Sequence, residues 1–258
     1  MSNDYAVVSV RTSSTRFPKK ALEWVTNECR VLDVVIHRAK KIGTPIVVAT
    51  STDSADDVIV EIAATHNVPV FRGPLLNRIK RWKLCFDYYQ IENAVLVDGD
   101  DLLYDYDIAQ RAIEELNVSG VDMIRMDGSE IIIGFFGDAV TTHAVSKMYE
   151  FAAGDDVSTE NITEFIKRAG LRTKKLQLNS WEMGREHRLT LDYPEDLEMF
   201  RALVAHVGIN ASGREIVSFL DSNQHISRIN LHRQQDYVKR REQQRTATAH
   251  YLKPKVGE

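Results

Sequence analysis

The chain has 258 residues, 43% hydrophobic and 27% charged, enough to bury a sizeable core and to exclude a disordered chain except at its ends. Its net charge of -4 is unevenly spread: residues 10–20, VRTSSTRFPKK, hold four cations and no acid, leaving -8 elsewhere, a concentration that suits one small anion better than a nucleic acid. No apolar run approaches the roughly 20 residues that span a bilayer, and the start MSNDYAVVSV lacks a basic leader and a small-residue cleavage site, so a cytoplasmic protein with no membrane partner is expected.

Residues 6–10 read as a buried strand and 22–41 as a helix, with Val25, Leu32, Val35 and Ile36 at helical spacing. A second buried strand, 45–50, precedes a helix over 56–66, a short strand over 68–71, a helix over 75–90 and a strand over 94–97. Continuous apolar strands alternating with helices indicate βαβ units and a parallel sheet covered on both faces. Ligands of such sheets bind outside the carboxyl ends of the strands, so the cationic loop and the segments 51–57 and 98–101 should meet on one edge. Further along, 121–125 and 131–136 read as strands joined at Asp127-Gly128 in a hairpin, followed by a helix over 140–153. Strands over 171–178 and 187–191 and a helix over 194–206, with proline in its first turn, come next. After Gly208 two short helical patterns lead into a charged run, and the tail from Thr246 is expected to fray.

Two acidic clusters sit where strands end. In VDGDD, Asp98, Asp100 and Asp101 could hold Mg²⁺, which takes one or two carboxylates and fills its other positions with phosphate oxygens and water. They could equally form an Asp-Gly turn. In HRLTLDYPEDLE, Glu195, Asp196 and Glu198 are accounted for by the helix dipole, but Asp192 precedes the helix. Two distant strand-end aspartates and one cationic loop favour a metal and polyphosphate site. A nucleoside triphosphate brings roughly four negative charges, for which arginine, lysine and backbone N–H groups are suitable partners. The window has neither GxxxxGK(S/T) nor GxGxxG.

The stretch RTSSTRFPKKAL resembles the R-x-x-S-T-R-L-P-x-K-x-L signature of the cytidylyltransferases that activate acidic sugars, the Kdo and nonulosonic acid synthetases, and of the related spore-coat polysaccharide type. IVVATSTDSADDVI, VFRG, VDGDD, TENITEFI and EHRLTLDYPEDLE resemble further segments of that family, in the same order, over residues 6–200. The resemblance implies a single α/β domain over 1–245 with a three-layer, Rossmann-like nucleotidyltransferase (GT-A-like) fold. It also implies a mostly parallel sheet, an inserted strand arm over about 121–185 that pairs with a second subunit in a homodimer, and a flexible tail over 246–258. By the same resemblance Arg11, Ser13, Ser14, Arg16, Lys20, Arg78 and Asp98 would bind CTP, with Arg16, Lys20 and Asp100 acting in catalysis. Asp100 and Asp192 would hold Mg²⁺, and Lys19, Asn161 and Arg188 would face the acceptor.

The implied reaction moves CMP from CTP to an acidic acceptor such as a keto-deoxy sugar acid and releases pyrophosphate. Ser13 and Lys19 stand where the family has glycine, Leu102 replaces a proline, Asn161 replaces a histidine, and the spacer after VFRG is shortened. These departures leave room for a phosphonate or another phosphorylated acceptor. A D-x-D glycosyltransferase and a nucleotide-binding protein without turnover are the other readings.

The remaining features have plainer explanations. Cys29 and Cys85 lack metal-site spacing and read as free core thiols. His37, His66 and His206 read as surface or satisfied core residues, with His143 and His187 nearer the site. The aromatic run 82–89 suits packing, and KRREQQR suits a solvated helix end.

Overall fold

The computed structural model describes residues 3–126, 128–154 and 157–252. A seven-stranded sheet forms the middle layer, in the order β3-β2-β1-β4-β6-β5-β7. Its parallel half is β1 (Asp4–Ser9), β2 (Ile46–Ser51), β3 (Val70–Gly73) and β4 (Asn93–Asp98). Alternate residues of these strands enter different cores: Ala6, Val8, Val48, Val95 and Val97 pack on one face, Val7, Val47, Ala49, Ala94 and Leu96 on the other. That division explains why the strands read as unbroken apolar runs, since both faces are covered.

Helices α1 (Val31–Ala39), α2 (Asp57–Thr65), α4 (Tyr106–Ser119) and α7 (Pro194–Val207) bury their apolar faces on the first side. α3 (Arg78–Tyr89), α5 (Thr142–Glu150) and α6 (Thr163–Arg168) do so on the second. The sequence reading had no helix at α4, although Asp105 caps it by accepting from the Asp107 and Ile108 amides. The helix expected over 22–41 is confined to α1, because residues 23–30 fold into a loop closed by backbone bonds from Val25 to Cys29 and from Val31 to Glu23.

The other half of the sheet departs further. β5 (Met123–Arg125) pairs with β6 (Asp138–Thr141), which is antiparallel to both neighbours, and β7 (Thr173–Lys174) lies outside β5. The hairpin between 121–125 and 131–136 does not form. Residues 131–136 make isolated bridges from Ile131 to Met183 and from Ile133 to Arg188 instead. Gly134 adopts φ +89, and a Cβ there would lie 2.0 Å from the Leu189 carbonyl oxygen, so this contact requires glycine. Asp127 of the expected turn lies outside the described residues.

Residues 187–191 likewise run beside 131–136 without forming a strand. The chain ends in α8 (Gly213–Ser222), α9 (Gln224–Leu231) and α10 (Arg233–Tyr251). The tail expected to fray from Thr246 is therefore helical as far as Tyr251, while 253–258 lie outside the described residues. Cys29 and Cys85 are free thiols. No described helix is long and apolar enough to cross a membrane.

Candidate active site

Parallel register aligns the carboxyl ends of β1 and β4, setting Ser9 opposite Asp98. Gly99 lets the loops beyond them leave side by side: a Cβ there would meet the Val10 Cβ at 2.8 Å. The cationic loop is then tied to the end of β2 by Asp56. One oxygen of its carboxylate accepts from the Thr12 amide and hydroxyl, both at 2.7 Å, and the other from Ser51 Oγ at 2.5 Å and Thr50 Oγ1 at 3.1 Å. Burial alone would raise the Asp56 carboxyl, but the bonds from Ser51, Thr12 and Thr50 hold it below its ordinary value.

Lys20 brings the loop to both acidic clusters. Its ammonium lies 2.7 Å from Asp100 Oδ2, 3.2 Å from Asp192 Oδ1 and 2.5 Å from the Leu191 carbonyl oxygen. Burial opposes its charge, but Asp100 and Asp192 outweigh burial and hold it above the ordinary lysine value. Arg16 pairs with the same oxygen of Asp192. The other oxygen of Asp192 accepts from Arg188, which is 1% exposed and also grips Asp196 through two bonds, at 2.9 and 3.1 Å. Arg188 is thus a buried clamp on Asp192, not a group facing an acceptor: it is absent from the cleft wall, because Asp196 and Gln234 hold its guanidinium inside.

Asp98, Asp100 and Asp101 converge, with ligand oxygens within 4.8 Å of one another. Burial keeps Asp98 above its ordinary value against the pull of Arg78, and burial with Asp100 and Asp98 drives Asp101 well above. Asp100 is held below its ordinary value, because the nearby Lys20 outweighs its burial. Three carboxylates this close together suit a hard divalent cation, so the donor set fits Mg²⁺. Asp192 meets Asp100 only across the Lys20 ammonium.

A cleft of about 1050 Å³ opens over these groups, lined by Arg11, Ser13, Ser14, Arg16, Lys20, Arg78, Asp98, Asp100, Asn161 and Asp192 among others. Arg11 pairs with Glu160 at 2.6 Å and Arg78 with Asp98 at 2.8 Å. Asn161 accepts from the Thr163 amide at 3.0 Å and donates to the Arg241 carbonyl at 3.4 Å. Lys19 is the exception in the loop: it is off the cleft wall and adopts φ +59, the left-handed conformation that favours glycine. Its departure from the family pattern therefore places a lysine where the backbone favours glycine.

Several cleft residues escaped the sequence reading. Arg125 and Asp138 face each other at 3.6 Å across β5 and β6, and Arg81 is buried behind Leu75, its guanidinium lowered to about 10 by burial and by Arg78 and Arg11. The largest correction concerns α10. Gln234, Tyr237, Arg240, Arg241 and Gln244 line the cleft, so KRREQQR is not simply a solvated helix end. Arg240 donates to Thr15 Oγ1 at 3.1 Å and Gln244 to Glu160 at 2.6 Å. Only Asp56 had a signal, since it lies in a segment that resembles the family. His187 is occupied by Asp221 at 2.9 Å, and Trp82 is a packing residue whose indole N–H donates to Ser9 Oγ at 2.7 Å.

A family profile described as cytidylyltransferase matches residues 5–238. The chain belongs to the cytidylyltransferase family. An uncharacterised protein of Methanocaldococcus jannaschii is 29% identical over 237 residues, covering 90% of this chain and 96% of its own. The spore coat polysaccharide biosynthesis protein SpsF of Bacillus subtilis is 24% identical over 233 residues, covering 86% and 96%. Among solved structures, a cytidylyltransferase from Leptospira borgpetersenii superposes with a TM-score of 0.78 at 20% identity, over 88% of this chain and 97% of that one. A CMP:2-keto-3-deoxy-manno-octonic acid synthetase complexed with CTP gives 0.59 at 13% identity, over 79% and 99%. These likenesses establish a nucleotidyltransferase-type α/β fold for this cytidylyltransferase.

Proposed function

We propose that this cytidylyltransferase moves CMP from CTP to an acidic small molecule, a keto-deoxy sugar acid in the first instance, in an Mg²⁺-dependent reaction that serves surface polysaccharide synthesis. The observation that supports it most is the meeting of the cationic loop, VDGDD and the LTLDYP segment on the single ammonium of Lys20. Arg11, Ser13, Ser14, Arg16 and Lys20 receive the triphosphate. Asp100, with Asp98 and Asp101 beside it and Asp192 across Lys20, would hold Mg²⁺, which would supply positive charge at the phosphoryl oxygens.

The acceptor hydroxyl oxygen forms a bond to the α-phosphorus of CTP, the bond to pyrophosphate breaks, and the hydroxyl proton leaves to a nearby carboxylate or solvent. Lys20 and Arg16 stabilise charge that grows on the leaving pyrophosphate, which is where preorganised cations are most effective. Arg188 contributes by keeping Asp192 in place. A phosphonate or phosphorylated acceptor is the second reading, and the cleft-lining Arg240 and Arg241 of α10 suit such an anion as well.

The test is pyrophosphate release from each of four nucleoside triphosphates, with Mg²⁺, against a panel of sugar acids and phosphonates. Release with CTP and one acidic acceptor is expected. Release only with another nucleotide, or with none, would sink the proposal, and CTP binding without release would favour a nucleotide-binding protein.

A further inference from the structure

Within the reading just given, the arginines of α10 divide into two kinds. Arg233 is paired with Glu195 at 2.7 Å and Asp236 at 2.9 Å, and Arg245 with Glu242 at 2.9 Å. Arg240 and Arg241, which line the cleft, have no carboxylate within ion-pair range among the described residues. Arg240 bonds Thr15 Oγ1 and Arg241 bonds the Tyr237 hydroxyl, at 2.9 Å, both neutral partners.

Across the cleft, Arg125 Nη2 donates to Thr163 Oγ1 at 3.0 Å, while its Nη1 is buried, makes no hydrogen bond and lies 3.6 Å from Asp138 Oδ2. Arg125 and Arg241 both line the cleft. Asn161 joins them, bonding the Thr163 amide on one side and the Arg241 carbonyl on the other. At this end of the cleft Arg78 pairs with Asp98 and Arg125 with Asp138, and Arg241 has no ion pair of its own among the described residues. An arginine on a cleft wall with no carboxylate partner is a receptor for a planar or tetrahedral anion.

We infer that Arg241 of the C-terminal helix and Arg125 of β5 form the anion-binding subsite for the acceptor, recognising its carboxylate or phosphonate, so that α10 is a specificity element of the active site. Arg125 and Arg241 stand outside the cationic loop assigned to the triphosphate, so nucleotide and acceptor anion use different arginines. It requires α10 to stay docked, which Arg240 and Gln244 provide through Thr15 and Glu160.

The test is calorimetric titration of 2-keto-3-deoxy-manno-octonate and of phosphonoacetate into the full chain loaded with a non-hydrolysable CTP analogue and Mg²⁺. One of the two anions is expected to bind, with affinity reduced at least tenfold in Arg241→Ala and in Arg125→Ala and partly restored in Arg241→Lys. Nucleotide affinity should stay within twofold in all three. Lys239→Ala removes the same charge from the same helix off the cleft wall and should leave both affinities unchanged.

Equal binding by Arg241→Ala and the wild type overturns the inference, as does an equal loss of nucleotide affinity or no binding of either anion to the wild type. If the analogue itself does not bind, the proposed nucleotide reaction fails. The anion titrations on unloaded protein then decide the subsite separately, with the same variants and thresholds.

Discussion

From β1 to β4 the sheet is parallel and its strands are continuous apolar runs, whereas from β6 to β7 it is short, mixed in direction and separated by irregular chain. The first half presents its functional groups at strand ends, in loops that the sequence places by topology. The second half presents Asp138, Asn161, Asp192 and Arg241 from a short strand, two irregular segments and a helix. The cations of the first half pair with acids of both halves: Lys20 with Asp100 and Asp192, Arg78 with Asp98, Arg16 with Asp192 and Arg11 with Glu160. The parallel half therefore supplies the cationic loop, and the returning half supplies part of the negative charge that faces it.

Lys20 is the residue through which the two halves meet, so its loss should have the largest effect. Lys20→Ala is expected to lower pyrophosphate release by about 10³, the upper range for removing one preorganised electrostatic contact. A reduction below tenfold would mean that the junction is structural. Asp100→Asn and Asp192→Asn should each lower turnover by about 10², but they should separate in stability. Asp192 is 1% exposed and paired to Arg16, Lys20 and Arg188, so its neutralisation should cost about 3 kcal/mol in urea unfolding. Asp100 has a side chain 29% exposed and one ion pair, and its variant should unfold nearly as the wild type does. Equal losses of stability would erase the distinction between the halves.

Asp56 acts within the parallel half alone. Asp56→Ala leaves the Thr12, Thr50 and Ser51 donors without their acceptor and should cost about 2 kcal/mol, with a raised KM for CTP as the cationic loop loosens. Its carboxyl is held below the ordinary value in the folded chain, so its stabilisation is fully present above the unfolded pKa of about 3.9 and is lost as pH falls through the folded value. Urea midpoints measured downward from pH 5 should therefore fall less steeply in Asp56→Asn than in the wild type. Parallel slopes would show that Asp56 does not carry this linkage.

The same contrast explains what the sequence made legible. β1, β2 and β4, buried on both faces, announce themselves as apolar runs, and the collinear motifs place Lys20, Asp100 and Asp192 in one site. The hairpin at 121–136 failed because its second limb bridges to Met183 and Arg188 instead, with the left-handed turn at Gly134 packed on the Leu189 carbonyl. The role of α10 was invisible for another reason: a run of arginine and glutamine reads as a solvated surface whether water or a substrate cleft lies beyond it. Arg188 was misplaced because an arginine next to a site aspartate has the same local sequence whether it faces a ligand or clamps the aspartate from behind.

Lys19 gives the smallest expected effect and the sharpest test of that lesson. It sits at φ +59 inside the cationic loop, its amide bonded to the Thr12 carbonyl at 3.0 Å, yet it is off the cleft wall. Left-handed backbone costs a non-glycine residue about 1 kcal/mol, and glycine recovers this while giving back part of it as unfolded-chain entropy. Lys19→Gly should therefore change stability by less than about 1 kcal/mol in the stabilising direction, with KM for CTP and for the acceptor within twofold of the wild type. An acceptor KM raised several-fold would return Lys19 to the site and show that the loop reaches further across the cleft than its backbone suggests. A KM left unchanged would confine acceptor recognition to the returning half, where Arg125 and Arg241 lie.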